Sequence, residues 1–454
     1  MNVLIITCLL ITTPSRVGEV WAWGNNGYGQ LGDNTTTDRW EPVQTHNLTA
    51  VISVDGGCDF SLATELGGTV WAWGRNNYGQ LGDNTNNDHH EPCSTHISNV
   101  TEIATAYYHA LALKSDGTVW AWGRNGFGQL GDNTTTDRWE PVQTHIITNI
   151  IEIDGGCWHS LALKSDSTVW AWGYNLHGQV GDNTNTNRWE PVQTHIITGI
   201  ISISAGTVYS LAAKSDGTAW AWGYNHFGQL GDNTTIDRWE PVQTHNLTDV
   251  IQVAGGDCHS LALKSDGTVW AWGRNNDGQL GDGTYTERHE PCSTHIANVA
   301  VIAAGAQHSL AIKTDGTVWA WGRNNRGQLG DNTITNRNEP VQTHNLTDID
   351  LISAGGWHSL AIQDAPTSVW EMENSELQII NNKLQTYPNP FTNYCTVIPK
   401  GKGSSSFTGQ IHVYDVTGKL IQATKNTAIG KDLKSGVYFI KAEGFEPVKI
   451  IKLR

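Results

Sequence analysis

A tryptophan-rich segment, Val-Trp-Ala-Trp-Gly, with Ala219 once in place of the valine, recurs seven times along the chain. Its first tryptophan falls at Trp21, Trp71, Trp120, Trp170, Trp220, Trp270 and Trp319, in steps of 49 or 50 residues. A period this long, built from short apolar stretches, belongs to blades or stacked arrays, because one unit cannot bury its apolar face without neighbours. Within a unit such as Ser160 to Gly173, a Ser-Leu-Ala-Leu-Lys stretch leads through Ser-Asp to the tryptophan segment. The alternation sets Leu161 with Leu163, and Trp170 with Trp172, on common faces of two half-buried strands. Asp-Gly pairs such as Asp116-Gly117 suit a primed two-residue turn, which predicts a hairpin. A glycine-punctuated segment, then Glu-Pro-Val-Gln-Thr-His, then a β-branched stretch supply the rest, for about four strands per unit. Glycine at 49 residues and tryptophan at 21, against 2 methionines, agree with turns and strands rather than helices.

Four strands make a propeller blade, and seven blades around a channel leave few free edges. The fold class expected is therefore all-β, a seven-bladed β-propeller followed by a small β-sandwich domain. The repeats begin on a tryptophan strand and end at His358-Ser359-Leu360-Ala361-Ile362, a strand lacking its tryptophan partner. That partner is Val20 to Gly24, so both ends of the repeat region complete one blade and close the ring; an open solenoid is the alternative. The domains expected are a possible signal peptide at 1–16, the propeller at 17–363, a linker at 364–383 and a C-terminal domain at 384–454. The apolar run Val3 to Ile11 is too short to span a bilayer and lacks a basic residue before it, so a buried first strand competes with the signal peptide.

The Gly-Gln-Leu-Gly segment at Gly29 to Gly32 and its counterparts, in register with His109, His159, His259, His308 and His358, resembles the regulator of chromosome condensation repeat family. Phe60 and Tyr209 replace the histidine, and Val180 replaces a leucine. The resemblance covers Val20 to about Gln363 and implies a seven-bladed propeller. Nucleotide exchange on a GTPase, the family's founding activity, resembles a function delivered by an insertion between blades, whereas the repeats here have nearly equal length. The plant ultraviolet-B photoreceptor of this fold uses tryptophans before the repeat histidine; here Trp158 and Trp357 stand beside Tyr108, Cys258 and Gln307 at that position, which argues against a clustered chromophore.

The tail resembles the C-terminal sorting domain of the bacterial type IX secretion system. The residues that carry this are Tyr387, Pro388, Asn389, Pro390 and Phe391, then Gly418 and Lys419, Gly436 and Tyr438, and the basic closing strand with Lys449 and Lys452. The resemblance implies export, with the type IX machinery as a partner and a secreted or outer cell-surface location. From Asp364 onward there are 11 Lys and Arg against 8 Asp and Glu, leaving 17 against 36 in the preceding part of a chain whose net charge is −16. So acidic a propeller repels phosphate backbones, so nucleic acid is not an expected partner. No transmembrane segment is expected.

No catalytic residue, metal or cofactor is assigned. His159-Ser160 and its counterparts adjoin on a strand and so point to opposite faces, which rules out a direct nucleophile–base pair. His46, His96, His145, His195, His245, His295 and His344 form a ring spread over separate blades, too far apart for tetrahedral zinc. Asp33 to Asp38 and its copies carry oxygen ligands but lack the calcium-loop glycine and glutamate, so Asx-turns are the expectation. The seven cysteines, among them Cys58, Cys93, Cys157, Cys258 and Cys292, show no pairing pattern and read as free thiols. What varies while the scaffold stays constant is a set of loop positions. One set is Tyr28, Tyr78, Phe127, His177, Phe227, Asp277 and Arg326; the other is Trp40, Trp139, Trp189 and Trp239, replaced elsewhere by His90, His289 and Asn338. Aromatics on exposed loops suit recognition of a protein or glycan ligand; packing over neighbouring loops is the structural alternative. The function expected is binding or adhesion. An exported hydrolase or lyase at the channel mouth is the alternative, which a buried cluster of unpaired carboxylates would favour, and GTPase regulation is the third reading.

Overall fold

The computed structural model describes residues 18–364 apart from 49, 146 and 196, together with the backbone of eight strands between 376 and 452. The described residues fall into two units, one within Val17–Ala365 and one beyond Pro366. In the larger unit each repeat is a four-stranded antiparallel sheet, typified by Ile150–Gly155, His159–Lys164, Val169–Gly173 and Arg188–Gln193, here termed strands a, b, c and d. The seven a strands pack one against the next around a complete circle, Ile349–Ala354 meeting Val51–Gly56 where the ring closes, so strand a lines the channel and strand d lies outermost. The closing blade takes its a and b strands from Ile349–Ala354 and His358–Asp364 and its c and d strands from Gly18–Gly24 and Arg39–Gln44. The register runs from Gly18 opposite Asp364 to Gly24 opposite His358. Closure by both ends of the repeat region is as the repeat phase requires.

Two expectations are corrected. Strand b is buried on both faces rather than half-buried, as in His159–Lys164, where only the terminal lysine reaches solvent. The reason is that each blade is packed between two others: Ala162 and Trp172 join the cluster of Leu111 and Leu113, while Leu161 and Leu163 join that of Trp222 in the following blade. The second correction concerns the hairpin turn. Gly117 has φ 79° but Asp116 stays outside the left-handed region, and Gly117 N–H donates to the Lys114 carbonyl at 2.9 Å while Lys114 N–H donates to Thr118. This is a three-residue loop, a type I turn ending in a left-handed glycine, and not a two-residue primed turn. The Asp116 carboxylate holds it by accepting from the Thr118 N–H and hydroxyl.

One carbonyl per blade staples the next. Gln129 O accepts from the Trp172 indole at 2.8 Å and from the Ser160 hydroxyl at 2.8 Å, and the same pattern recurs in the other blades except at Gln80, which takes only the Trp122 indole because Ala110 stands in the serine's place. The serine in turn accepts from the histidine of the preceding blade: His109 Nε2 lies 2.9 Å from Ser160 Oγ, and His358 Nε2 lies 2.9 Å from Ser61 Oγ across the closure. The second tryptophan of every repeat is wholly buried in the seam this makes. Strand d, the outer edge, carries a proline and a bulge, both of which blunt pairing with another chain.

The C-terminal unit holds two four-stranded sheets, as a β-sandwich needs. A strand at Glu376–Ile380 falls in the stretch expected as a linker. Of the expected sorting residues, Gly436 and Tyr438 lie on the strand Gly436–Ala442, and Lys449 and Lys452 on Val448–Lys452. Tyr387, Pro388, Asn389, Pro390, Gly418 and Lys419, like the leader at 1–16, lie outside the described residues.

Candidate functional site

Strands a and c run in the same direction, so the a–b loops and the long c–d loops emerge on one face of the propeller. The c–d loop is rigid. In the first repeat the buried Asn26 accepts from Leu31 N–H at 3.0 Å and donates to Asp33 at 2.9 Å, while Gln30 Oε1 accepts from Tyr28 N–H. Asp33 accepts further from the Thr35 N–H and hydroxyl and from the Arg39 guanidinium at 2.6 Å. Burial alone would raise the Asp33 pKa, but hydrogen bonds from Thr35, Arg39 and Asn26 hold it below the ordinary carboxylate range. Its oxygens are thus engaged within the loop, in keeping with an Asx-turn.

On this scaffold the varying positions meet. Tyr28, Tyr78, Phe127, His177, Phe227 and Asp277 are half-buried, and Arg326 is exposed. They pack against two further sets: the residue after the tryptophan segment, which the sequence reading left out, and the residue before the repeat histidine, which it weighed only for a chromophore. Arg75 stacks 4.8 Å from the Tyr28 ring, and Arg124 stacks 4.9 Å from Tyr78, which meets Tyr108 edge-on at 5.4 Å. Phe127 packs on Trp158 and Tyr174 at 5.5 and 4.9 Å; Tyr174 then leads through His177 to Tyr224, and Tyr224 to Phe227. Arg274 lies over Phe227, and Arg323 over Trp357 at 4.5 Å. The result is a belt of rings and guanidiniums crossing blade boundaries. Elsewhere on the belt polar pairs take over: His177 with Asp237 at 2.8 Å, Asp277 with Asn336 at 3.0 Å, Arg326 with Asp38 at 3.2 Å. The missing signal was visible as Arg75, Arg124, Tyr174, Tyr224, Arg274 and Arg323 varying at one repeat position.

Trp40, Trp139, Trp189 and Trp239 are the second residues of their d strands rather than loop residues, each about half exposed. Each lies over the turn glycine of the preceding blade, Trp139 over Gly79 and Trp40 over Gly327, so they form an outer rim to the belt.

Nearer the axis the mouth of the channel is crossed. The Tyr107 hydroxyl donates to Asp257, which also accepts from Thr207 at 2.7 Å, linking loops of three blades. Below it, Asp55, Glu102 and Asp154 stand on neighbouring a strands. They touch the channel but are enclosed by its walls, and that enclosure raises all three pKa values, Asp154 to about 7. Their oxygens are used across blades: Asp55 accepts from Thr105 N–H at 2.6 Å and from Ser353 at 2.5 Å, Asp154 from Ala205 N–H at 2.8 Å, and Glu102 from Ile153 N–H at 3.2 Å. The sequence reading did not single out these carboxylates.

Just beyond strand d, six of the ring histidines each pair with the strand-d glutamate of the next blade, as His145 does with Glu190 at 2.9 Å. Cys58, Cys93, Cys157, Cys258 and Cys292 are free thiols. No helix among the described residues is long and apolar enough to cross a membrane.

Comparison with known proteins gives a consistent picture. Residues 6–253 match the model of the RCC1-like domain, residues 266–312 and 315–362 that of the regulator of chromosome condensation (RCC1) repeat, and residues 385–453 that of a secretion system C-terminal sorting domain. Among solved structures, Prp20p from Saccharomyces cerevisiae, described with its binding to Gsp1p and histones, is similar at 22% identity and TM-score 0.70, covering 78% of this chain and 93% of that one. Human WBSCR16 is similar at 21% identity and TM-score 0.69, covering 77% and 99%. Likeness at this identity shows the fold. No curated protein sequence matches the chain.

Proposed function

We propose, for a chain that belongs to the RCC1-like domain family and ends in a secretion sorting domain, that the propeller is a binding or adhesion module of the cell exterior. Its ligand, a protein or a glycan, is taken on the face that carries the aromatic–arginine belt. The observation that carries this reading is the belt itself: rings and guanidiniums that meet across blade boundaries in three groups and vary from repeat to repeat on a loop framework that is nearly constant. Tyr, Trp and Arg dominate the energetics of recognition surfaces because each supplies a large, stiff contact area with a polar or charged edge. Five arginines on this face of an acidic protein, Arg75, Arg124, Arg274, Arg323 and Arg326, also favour a ligand with acidic or planar groups.

The test is capture by the full chain on arrayed glycans and immobilised surface proteins, beside a variant with Tyr78, Phe127, Tyr174 and Tyr224 changed to Ala. Affinity weaker by more than about tenfold in that variant is expected. Capture unchanged in the variant would move the site off the belt.

One observation speaks for the second reading, an exported hydrolase or lyase: Asp154, held near neutrality beside Asp55 and Glu102, has the protonation range of a general acid or base. The main-chain bonds these carboxylates accept favour a role in building the channel wall. GTPase regulation is disfavoured by export and by repeats of near-equal length.

A further inference from the structure

In six blades the buried Asp of the c–d loop is neutralised by the arginine that opens strand d, with N···O distances of 2.5 to 2.8 Å. In the remaining blade that arginine is His89, whose Nε2 lies 2.9 Å from Asp83 Oδ2. The fifth residue of the same strand, valine in five blades, is here Cys93. The strand bulge sets His89 opposite Gly74 and Cys93 opposite Ala72, which carries both side chains to one side of the strand. The carboxylate, imidazole and thiol ligand atoms all stand within 4.8 Å of one another. Asn76 donates to Asp83 Oδ1 at 3.0 Å and so aims the other oxygen at this group.

A guanidinium has only donors and cannot ligate, whereas an imidazole nitrogen offers a lone pair. The exchange of Arg for His therefore removes the fixed cation and adds a ligand at the same point, while the exchange of Val for Cys adds a second. The blade with Cys292 is an internal control, because it keeps Arg288 on Asp282.

We propose that Asp83, His89 and Cys93 bind a divalent metal ion of the zinc class. Sulfur, imidazole and one carboxylate oxygen form a three-ligand set that soft to borderline cations prefer to calcium or magnesium, and solvent takes the fourth position. Binding displaces the thiol proton to solvent, so that thiolate and carboxylate together balance the two charges of the ion. Bond lengths of about 2.0 to 2.3 Å put tetrahedral ligand atoms roughly 3.4 to 3.6 Å apart, which rotation of the half-exposed His89 brings within reach.

The test is titration of the reduced full chain with Co²⁺, read as the thiolate-to-cobalt absorption and reversed by Zn²⁺. His89→Arg and Cys93→Val restore residues that other blades carry, and Cys292→Val controls for the second cysteine. One equivalent of thiolate-bound cobalt is expected in the wild type and in Cys292→Val, with the absorption lost in His89→Arg and in Cys93→Val. No thiolate absorption in the wild type, or absorption that survives either His89→Arg or Cys93→Val, would overturn the proposal.

Discussion

The repeat histidine and the serine that follows it in sequence do their work with different partners, one blade apart. His159 meets Ser210 at 3.0 Å, wholly buried, and burial pushes its pKa down to about 3; His109, His259, His308 and His358 share this environment. In the unfolded chain such a group takes a proton near 6.5. Between these values the unfolded state binds more protons, so this contribution to stability is complete above pH 6.5 and is lost as pH falls toward 3. The chain contains its own control. Phe60 stands where the histidine would, and the serine it would have met is Ala110, the one alanine at that position. Phe60 fills the same space over Gly57 that His159 fills over Gly156. The double change His159→Phe with Ser210→Ala is therefore expected to fold and, by removing one of the five histidine contributions, to make the pH dependence of the melting temperature between pH 6.5 and 4 shallower. Ser210→Ala alone strands a buried imidazole N–H and should cost about 1–3 kcal/mol. Thermal unfolding across this pH range distinguishes the two variants, and equal pH slopes in wild type and double variant would refute the assignment.

At the scale of strands and turns, the b–c loop tests how well local sequence specifies geometry. Ser167 occupies the left-handed position with φ 66°, where four other blades have a glycine at this point of a Ser/Thr-Asp-Gly turn. A side chain there costs roughly 1 kcal/mol, so Ser167→Gly should raise stability by about that amount, partly offset by the added freedom of the unfolded chain. Denaturant midpoints with an unchanged slope would show it. The turn also marks how far the sequence could be read. Asp-Gly announced a hairpin correctly because any turn with one left-handed residue favours glycine, but the count of left-handed residues depends on strand register, which the pair alone does not encode. Strand burial was misjudged for a related reason: alternation along Leu161 and Leu163 reports one buried face, while the small Ala162 on the other face is buried by a neighbouring blade that periodicity cannot register. The belt was half legible, since Tyr28, Tyr78 and Phe127 stood out by position, whereas Arg75, Arg124 and Tyr174 join them only through contacts between blades.

For the whole molecule the decisive feature is the blade shared by the two ends of the repeat region. Trp23, contributed by the first strand, is fully buried among Leu310, Val318 and Leu329 of the blade beside it. Loss of such a side chain costs about 3–5 kcal/mol, and loss of both N-terminal strands also bares the edge of His358–Asp364. Deleting residues 1–50 is therefore expected to abolish cooperative thermal unfolding. A permuted chain with residues 18–50 moved between Asp364 and the tail should restore it. Restoration would show that the ring requires the strands and not their place in the chain; cooperative melting of the deleted chain would show that six blades and a hairpin suffice.

The shared blade also sets a clock. Six complete blades can leave the ribosome without forming a ring, because the strand that receives Gly18–Gly24 is His358–Asp364, the last of the repeats to be made. The sorting domain follows it directly in the order of synthesis. A chain that displays its export address has thus already acquired every strand needed to close, and a truncated product that cannot close also lacks the address, so the order of segments along the polypeptide doubles as a check on completeness.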